Sequence, residues 1–471
     1  MTAQVILTVD LGYGDAGKGS VVDWLTREFN AHLIVRYNGG CQAAHNVIAP
    51  DGTHHTFAQF GSGTFVPDVR TYLSRYMLVA PDNFLKEQAH LQECGVDDAA
   101  GRVVVDQYAA ITTPFHMSAN RIRELIRNKE RHGSCGFGIG ETAADLIAYG
   151  ERMLYAGDLR DPVMMKDKLR FIRSSKLLEL ENEYGVRALA EQDERIAQEF
   201  RCFRDPDMVR KIAAVYSEFV RQVAIDDSSF LSDALAGDGL VIFEGAQGVL
   251  LDEDYGFFPY VTRSHTTLVN ADRLLSESGY APSEAYRLGI ARAYGVRHGP
   301  GPFVTEDEEL TRRVPEDHNG MGEWQRTFRV GWFDEVAIKY ALKVTQGVSG
   351  IVVTCLDKIA GERKIKIAEG YQYCGFSPDN LERFFVPDSE NNIAAIRASD
   401  TPDLIYQKEL TNLLFSCVPV YGDVDSDDLY DYLRKISADL DVPVIGASYG
   451  PTADDKFFIH SLVNPMDEDE R

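Results

Sequence analysis

The chain has 471 residues, with 48 Lys and Arg against 73 Asp and Glu, and a formal net charge of −25. A surface this negative repels phosphodiester backbones and anionic lipid, which argues against a nucleic-acid-binding or membrane-surface protein. Hydrophobic residues make up 44% of the sequence and aromatic residues 10%, enough for sizeable cores and too much for a disordered chain. No stretch approaches the ~20 apolar residues of a membrane-spanning helix. The N-terminal run VILTV is too short for a secretory leader and lacks a basic flank. Cysteines at 41, 94, 135, 202, 355, 374 and 417 form an odd, scattered set without a CxxC pair. That pattern suits a reducing compartment and offers neither a disulfide framework nor zinc-site spacing. A cytoplasmic location is expected.

In chain order, a β-branched run at Val5–Val9 predicts a buried strand, followed by a Gly-rich turn and a helical pattern. Further short runs at Leu33–Tyr37, Val103–Val105, Leu240–Phe243, Ile351–Thr354 and Val442–Ile445 read the same way. Apolar spacing over Trp332–Val344 predicts a helix with one buried face. Residues 160–230 are charged and amphipathic and read as a helical insertion, and residues 363–373 alternate as a half-exposed strand would. Strand–helix alternation predicts an α/β fold with a large, mostly parallel central sheet flanked by helices, carrying helical and small-sheet insertions. No Pro- or Gly-rich linker divides the chain, so residues 1–471 are expected to form one large domain with a C-terminal tail at 455–471 whose MDEDER end is frayed and solvated.

The turn after the first strand reads Gly12-Tyr13-Gly14-Asp15-Ala16-Gly17-Lys18-Gly19-Ser20. Glycines at this density let successive backbone N–H groups converge on a phosphate, Lys18 adds a point charge, and the following helix aims its positive end at the anion. The Walker pattern places Ser or Thr directly after the Lys; here Gly19 intervenes, so this is a phosphate loop of another make. Asp15 is the sharper clue. A carboxylate beside bound phosphates is repelled unless it holds Mg²⁺ or takes a proton from a substrate.

The loop resembles the WGDEGKGK segment of the adenylosuccinate synthetase family, and further segments follow in that family's order. RYNGGCQAAH (36–45) is similar to RYxGGxNAGH, SCGFGIG (134–140) to TTGRGIG, and FEGAQGVLLDEDYGFFPYVTRSHTT (243–267) to FEGAQGxLLDIDxGTYPYVTSSNTT. AYGVRHGPGPFVTE (293–306), GWFDEVA (331–337), TCLDKIAG (354–361) and SYGP (448–451) likewise match YxTRVGxGPFPTE, GWLDxVA, TKLDVLDG and STGP. The resemblance implies a P-loop-related α/β fold and a two-step, Mg²⁺-dependent ligation. Phosphate from a nucleoside triphosphate, GTP in the family, is placed on O6 of an IMP-like 6-oxopurine mononucleotide, and aspartate displaces it.

On this resemblance, Asp15 removes the N1 proton and, with the backbone carbonyl of Ala44, holds the metal. His45 acts as acid at the phosphoryl group in flight, Lys18 neutralises phosphate charge, and Gln247 orients Asp15 and the purine. Gly14, Gly17, Gly19, Ser20, Ser134, Cys135 and Thr262 are implied to bind nucleotide phosphates. Asp357, Gly450 and Pro451 are implied to meet the triphosphate's base, and Glu323, Trp324, Arg326 and Arg329 belong to the amino-acid loop. A homodimer is a family expectation. Simpler readings stand beside these: His45 as a satisfied core histidine, Gln247 as a partner for buried backbone, and 294–303 as turn chemistry with Arg297 at or away from ligand. Asp252 and Asp254 read as solvated or hydrogen-bonded loop carboxylates, and His54–His55 as exposed loop.

The departures cluster where ligands bind. Glu323 and Trp324 replace two threonines and Phe328 an arginine, while Arg326 and Arg329 keep two cations. A carboxylate repels a dicarboxylate ligand, so either Glu323 turns away or the amine is not aspartate. Cys355 replaces the stacking Lys of TKLD, which opens ATP as the triphosphate. Tyr149 occupies the position of an Arg that reaches across the family's dimer. The WQ and FR pattern resembles the phage-type branch that makes 2-aminoadenylosuccinate from a guanine nucleotide, although that branch tends to lack the loop Asp and is shorter. The alternatives are the same chemistry on a guanine nucleotide or purine analogue or with another amine, and a non-catalytic nucleotide-binding paralogue.

Overall fold

The strand expected at Val5–Val9 forms as Gln4–Asp10 and takes a central place in a ten-stranded sheet. The computed structural model describes residues 3–128, 135–227, 229–314, 328–362, 364–376, 381–425 and 429–459. Across the sheet the strands run Lys456–Phe458, Val444–Ser448, Gly350–Thr354, Tyr286–Arg292, Gln4–Asp10, Leu240–Glu244, Leu33–Arg36, Arg70–Leu73, Val103–Asp106 and Ala224–Asp226. Every pairing is parallel except that of Lys456–Phe458 with Val444–Ser448.

Period-two alternation sorts the strand residues between two cores. Val5, Leu7, Val9, Leu33, Val35, Val241, Phe243, Ile351 and Val353 point to one side, with helices Val269–Glu277 and Glu335–Val344. Ile6, Ile34, Leu240, Ile242, Leu288, Ile290 and Val352 point to the other, where Val21, Val22, Trp24 and Leu25 of helix Lys18–Phe29 pack. Both faces are buried, which is why these strands read as continuous apolar runs.

The helix expected from Trp332 starts later, at Glu335, because Asp334 caps it and accepts from the Ala337 amide at 3.0 Å. The strand expected at Val442–Ile445 starts at Val444, after Pro443, which has only a carbonyl to offer its neighbour. The alternating segment forms Lys364–Tyr373, with Ile365 and Ile367 buried, and pairs antiparallel with Cys417–Asp425 in a smaller sheet. His54–Phe57 is a strand paired with His45–Ile48; His54 is exposed there, but His55 is buried, correcting the expectation of an exposed loop for both.

Residues 160–230 hold the helices Pro162–Tyr184, Val186–Gln192, Glu194–Arg204 and Met208–Gln222. Asp161 accepts from the Val163 and Met164 amides, Pro162 takes the first helical position, and left-handed Gly185 ends the first helix. A buried ionic network ties this region to helix Ile139–Tyr149. The Lys176 ammonium, with 1% of its side chain exposed, lies 2.6 Å from Asp145, 2.7 Å from Glu179 and 3.1 Å from Glu141. Lys176→Met would strand the buried Asp145 carboxylate and remove the partner of half-buried Glu141 and Glu179. It is expected to cost about 3–5 kcal/mol of stability, read as a lowered midpoint of urea unfolding.

Candidate active site

The loops that leave the C-terminal ends of Gln4–Asp10, Leu240–Glu244, Tyr286–Arg292 and Gly350–Thr354 converge at one edge of the sheet, where parallel α/β proteins place ligands. Asp10 shapes the phosphate loop from below. Its Oδ1 accepts from the Gly12 amide at 2.8 Å, and its Oδ2 accepts from the Ala16 amide at 3.0 Å and from Lys18 Nζ at 2.7 Å. Positive φ at Gly14 (96°), Asp15 (58°) and Gly17 (82°) folds the loop back before helix Lys18–Phe29 begins, and Ser20 Oγ donates to the Gly17 carbonyl. Thr354 Oγ1 donates to the Ala16 carbonyl at 2.8 Å and fixes the loop to the strand Gly350–Thr354, two places along the sheet.

Gly19 has a steric reason. A Cβ there would lie 2.7 Å from the His45 Cβ, closer than real Cβ atoms approach. The hydroxyl residue of a Walker loop is therefore excluded, and the helix start sits directly on the histidine. Gly19→Ser, which restores the Walker pattern, is expected to displace His45 and abolish turnover while leaving a folded protein, as circular dichroism and phosphate release would show.

Asp15 lies half-buried, with its Oδ2 3.0 Å from His298 Nε2, and its carbonyl accepts from Arg292 Nη1 at 3.2 Å. Burial pushes the Asp15 carboxyl up, but the His298 hydrogen bond and the charges of His298, Lys18 and Arg292 outweigh it and hold the pKa below its ordinary value. Asp15 and Gln247 both adopt left-handed backbone, Gln247 at φ 56°. Strain of this kind costs about 1–3 kcal/mol per residue and concentrates at functional sites. The buried Oε1 of Gln247 has no hydrogen-bond partner among the described residues. At Gly248 a Cβ would lie 2.2 Å from the Gly12 carbonyl oxygen and 2.3 Å from the Gly14 amide, so the two loops touch backbone to backbone. Asn38 ties them to a third, donating to the carbonyls of Ala246 and His265 at 3.0 Å each and accepting from the Ala246 amide at 2.7 Å.

His45 is buried, and its Nδ1 lies 2.5 Å from Glu244 Oε1. Glu244 Oε2 accepts from the Ser62 amide at 2.9 Å, and the Ser62 hydroxyl also donates to this carboxylate. Burial raises the Glu244 pKa, but Arg36, His45 and Ser62 together bring it down to about 2. Burial lowers the His45 pKa, with Arg36 and Lys18 adding to the effect and Glu244 opposing it. A neutral imidazole with Nδ1–H donated to a permanent carboxylate leaves Nε2 as its working nitrogen.

The chain's relatives decide the family. The adenylosuccinate synthetase family profile matches residues 7–457. An adenylosuccinate synthetase from Vibrio cholerae is 33% identical over 78% of this chain and 80% of its own length. One from Tolumonas auensis is 30% identical over 97% of this chain and 98% of its own. The chain belongs to the adenylosuccinate synthetase family. It is therefore a ligase that forms a carbon–nitrogen bond, of the class serving purine biosynthesis. The fold agrees. A fully ligated adenylosuccinate synthetase from Plasmodium falciparum superposes with a TM-score of 0.72 at 20% identity, covering 97% of this chain and 100% of that one. The cyanophage S-2L succinoaminodeoxyadenylate synthetase PurZ, bound to dGMP and dATP, gives 0.58 at 17% identity, covering 97% and 96%.

Within the family frame, Gly14, Asp15, Gly17 and Gln247 lie on the converging loops, Lys18, Gly19 and Ser20 open the helix that follows, and His45 opens the strand His45–Ile48 against it. Thr262 lies on the loop after Gln247, its amide donating to the Leu251 carbonyl at 2.8 Å. A cavity of about 350 Å³ opens nearby, lined by Gly39, Arg75, Tyr76, Arg263, His265 and Asn270 among others. Ala44 precedes His45 and is exposed; Cys135 is half-buried, and burial raises its thiol pKa. Asp357 is exposed after Gly350–Thr354, while Gly450 and Pro451 follow the adjacent strand Val444–Ser448. Near them Lys456 donates to the Thr452 carbonyl at 2.7 Å, and burial brings its pKa down to about 8 against the pull of Asp455, Asp23, Cys355 and Asp357. A lysine thus returns to the neighbourhood where Cys355 replaced one.

Arg329 donates to the carbonyls of Gly299 and Gly301 and pairs with Glu306 at 2.8 Å. Ser134, Glu323, Trp324 and Arg326 lie outside the described residues. Arg297 is buried, donates to the Pro302 carbonyl at 2.7 Å, and sits 4.2 Å over the Tyr13 ring, so it braces the 294–303 turn. Asp252 accepts from the amides of Asp254, Tyr255, Thr266 and Thr267, as a hydrogen-bonded loop carboxylate should. Tyr149 donates to Glu179 at 3.1 Å and packs on Phe171. Sequence reasoning missed Asp10, Asn38, Glu244 and His298 as site residues. Asn38, Glu244 and His298 stand inside the quoted motifs and Asp10 ends the strand before the loop, and only their partners reveal their work.

Proposed function

We propose that this ligase transfers phosphate from a nucleoside triphosphate to O6 of a 6-oxopurine mononucleotide and displaces it with aspartate, giving an N6-succinyl purine nucleotide. The observation that carries the reading is the convergence at one sheet edge of a phosphate loop holding Asp15, a carboxylate-backed His45 and the Gln247 amide oxygen, which has no partner among the described residues. Asp15 takes the N1 proton and so makes O6 nucleophilic. His45, its Nδ1–H fixed on Glu244, uses Nε2 at the phosphoryl group in flight. Gln247 turns its amide oxygen to the purine, and Lys18 exchanges Asp10 for phosphate oxygens. Positioning and charge neutralisation supply most of the acceleration in phosphoryl transfer.

The half-exposed Asp15 carboxylate and the backbone carbonyl of Ala44, an exposed residue, are hard oxygen donors that fit Mg²⁺. When bound, that ion would neutralise phosphate charge. We also read the chain as one large domain, a homodimer and a cytoplasmic protein; no helix of the described residues is long and apolar enough to cross a membrane.

The test is phosphate release with mass detection of product. ATP or GTP, Mg²⁺, aspartate and either IMP or a guanine nucleotide are supplied, each omitted in turn. A succinyl adduct requiring all three substrates supports the ligation. A preference for the guanine nucleotide would move the substrate to the phage-type reaction. Phosphate release without an aspartate adduct would assign another amine, with Glu323 and Trp324 the residues to replace first.

A further inference from the structure

We infer that His55, His90 and Cys94 form a second cation site, for a borderline-soft divalent metal of the zinc class, apart from the ligation site. His55 lies on strand His54–Phe57, His90 in the last turn of helix Pro81–Glu93, and Cys94 caps that helix. The i,i+4 spacing of His90 and Cys94 sets both on one helix face, toward His55. The two Nδ1 atoms are 2.6 Å apart, and the three ligand atoms all lie within 4.8 Å of one another. The imidazoles stack with centroids 4.8 Å apart.

Two imidazole nitrogens and a thiol suit zinc, whereas Mg²⁺ takes oxygen. A proton shared between the imidazoles would account for their contact alone; the thiol one turn further on donates to the His54 carbonyl at 3.7 Å, a bond it would exchange for the cation. Ligand histidines commonly have a carboxylate behind the other ring nitrogen. His55 Nε2 is buried without a hydrogen-bond partner among the described residues and lies 3.8 Å from Glu87 Oε1. Glu87 is itself held by the amides of Ala58, Gln59 and Phe60. His55 is buried, Cys94 half-buried and His90 exposed, so water can reach the remaining coordination position. On binding, the thiol proton leaves to solvent. The cation would pin helix Pro81–Glu93 to the hairpin that begins at His45, where His55 pairs with Val47 and packs on Phe57 at 4.6 Å.

The test uses the full chain, stripped with a chelator and titrated with Co²⁺ alone, then Zn²⁺. Expected is a near-ultraviolet thiolate-to-cobalt band that saturates at about one equivalent and is lost on adding Zn²⁺. Cys94→Ser should abolish the band, and His90→Ala should weaken Co²⁺ binding at least about tenfold. Both positions lie at a helix end with solvent access, and thermal melts check that the variants fold. Zn²⁺ should raise the melting temperature of the native chain and not that of Cys94→Ser. No band in the native chain, a band surviving Cys94→Ser, or equal thermal shifts in both would each overturn the site.

Discussion

Asp15→Asn is expected to lower kcat by about 10²–10⁴-fold while leaving a folded protein that still binds nucleoside triphosphate. The substitution is chosen for its backbone. Residue 15 sits at φ 58°, a conformation asparagine adopts more readily than most residues, so no new strain enters. The asparagine side chain can also keep the contact with His298, now 3.0 Å from Oδ2. What disappears is the negative charge and with it the ability to take a proton from N1. Lys18, the loop amides and the helix start remain to hold phosphate. The loss should therefore fall on kcat, with KM for the triphosphate changing far less. A variant within threefold of the native kcat would remove Asp15 from the proton-transfer step. His298 adds a second reading of the same contact. His298→Ala should lower kcat by less than Asp15→Asn does, and His298→Gln should restore part of the loss, since glutamine can still donate to Asp15. A purely structural histidine would show no such rescue.

The central sheet was legible because its strands are buried on both faces and spell uninterrupted β-branched runs. Tyr286–Arg292 was not, although it pairs with the first strand, because Arg287, Gly289 and Arg292 break its apolar pattern. Arg70–Leu73 is as long as Val103–Asp106 but Arg70 and Thr71 interrupt its apolar run, and the three-residue strands Ala224–Asp226 and Lys456–Phe458 are too short to show a period. At the site, the phosphate loop could be read locally because glycine, lysine and aspartate sit within nine positions of one another. Glu244 could not, since its partner His45 is 199 residues away in sequence. Gly19 was legible only as a departure from the Walker pattern; its cause, the His45 Cβ, is a tertiary contact. The His55–His90–Cys94 cluster was hidden for the same reason, as cysteine spacing reports metal sites only where the ligands are close in sequence.

The pair His45–Glu244 should behave as one unit. His45→Ala is expected to lower kcat by about 10²–10⁴-fold, and Glu244→Gln to cost activity as well, because a neutral amide no longer favours the tautomer with Nδ1–H. Combining them should cost little beyond His45→Ala alone, since each removes the same function. Stability gives an independent readout. The folded-state pKa of Glu244 is about 2 against an ordinary 4.5, so its carboxylate contributes stability that is fully present above pH 4.5 and lost as the pH falls toward 2. A displacement of that size corresponds to roughly 3 kcal/mol. Glu244→Gln also removes a negative charge that favours the buried Arg36 guanidinium, although Arg36 keeps the carbonyls of Ala58 and Phe60. Thermal melts should therefore place Glu244→Gln well below the native chain near neutral pH, with the gap closing below pH 4.5. A gap that stayed constant down to pH 3 would mean the Glu244 carboxylate is not held ionised by its surroundings. The fixed tautomer of His45 would then need another cause.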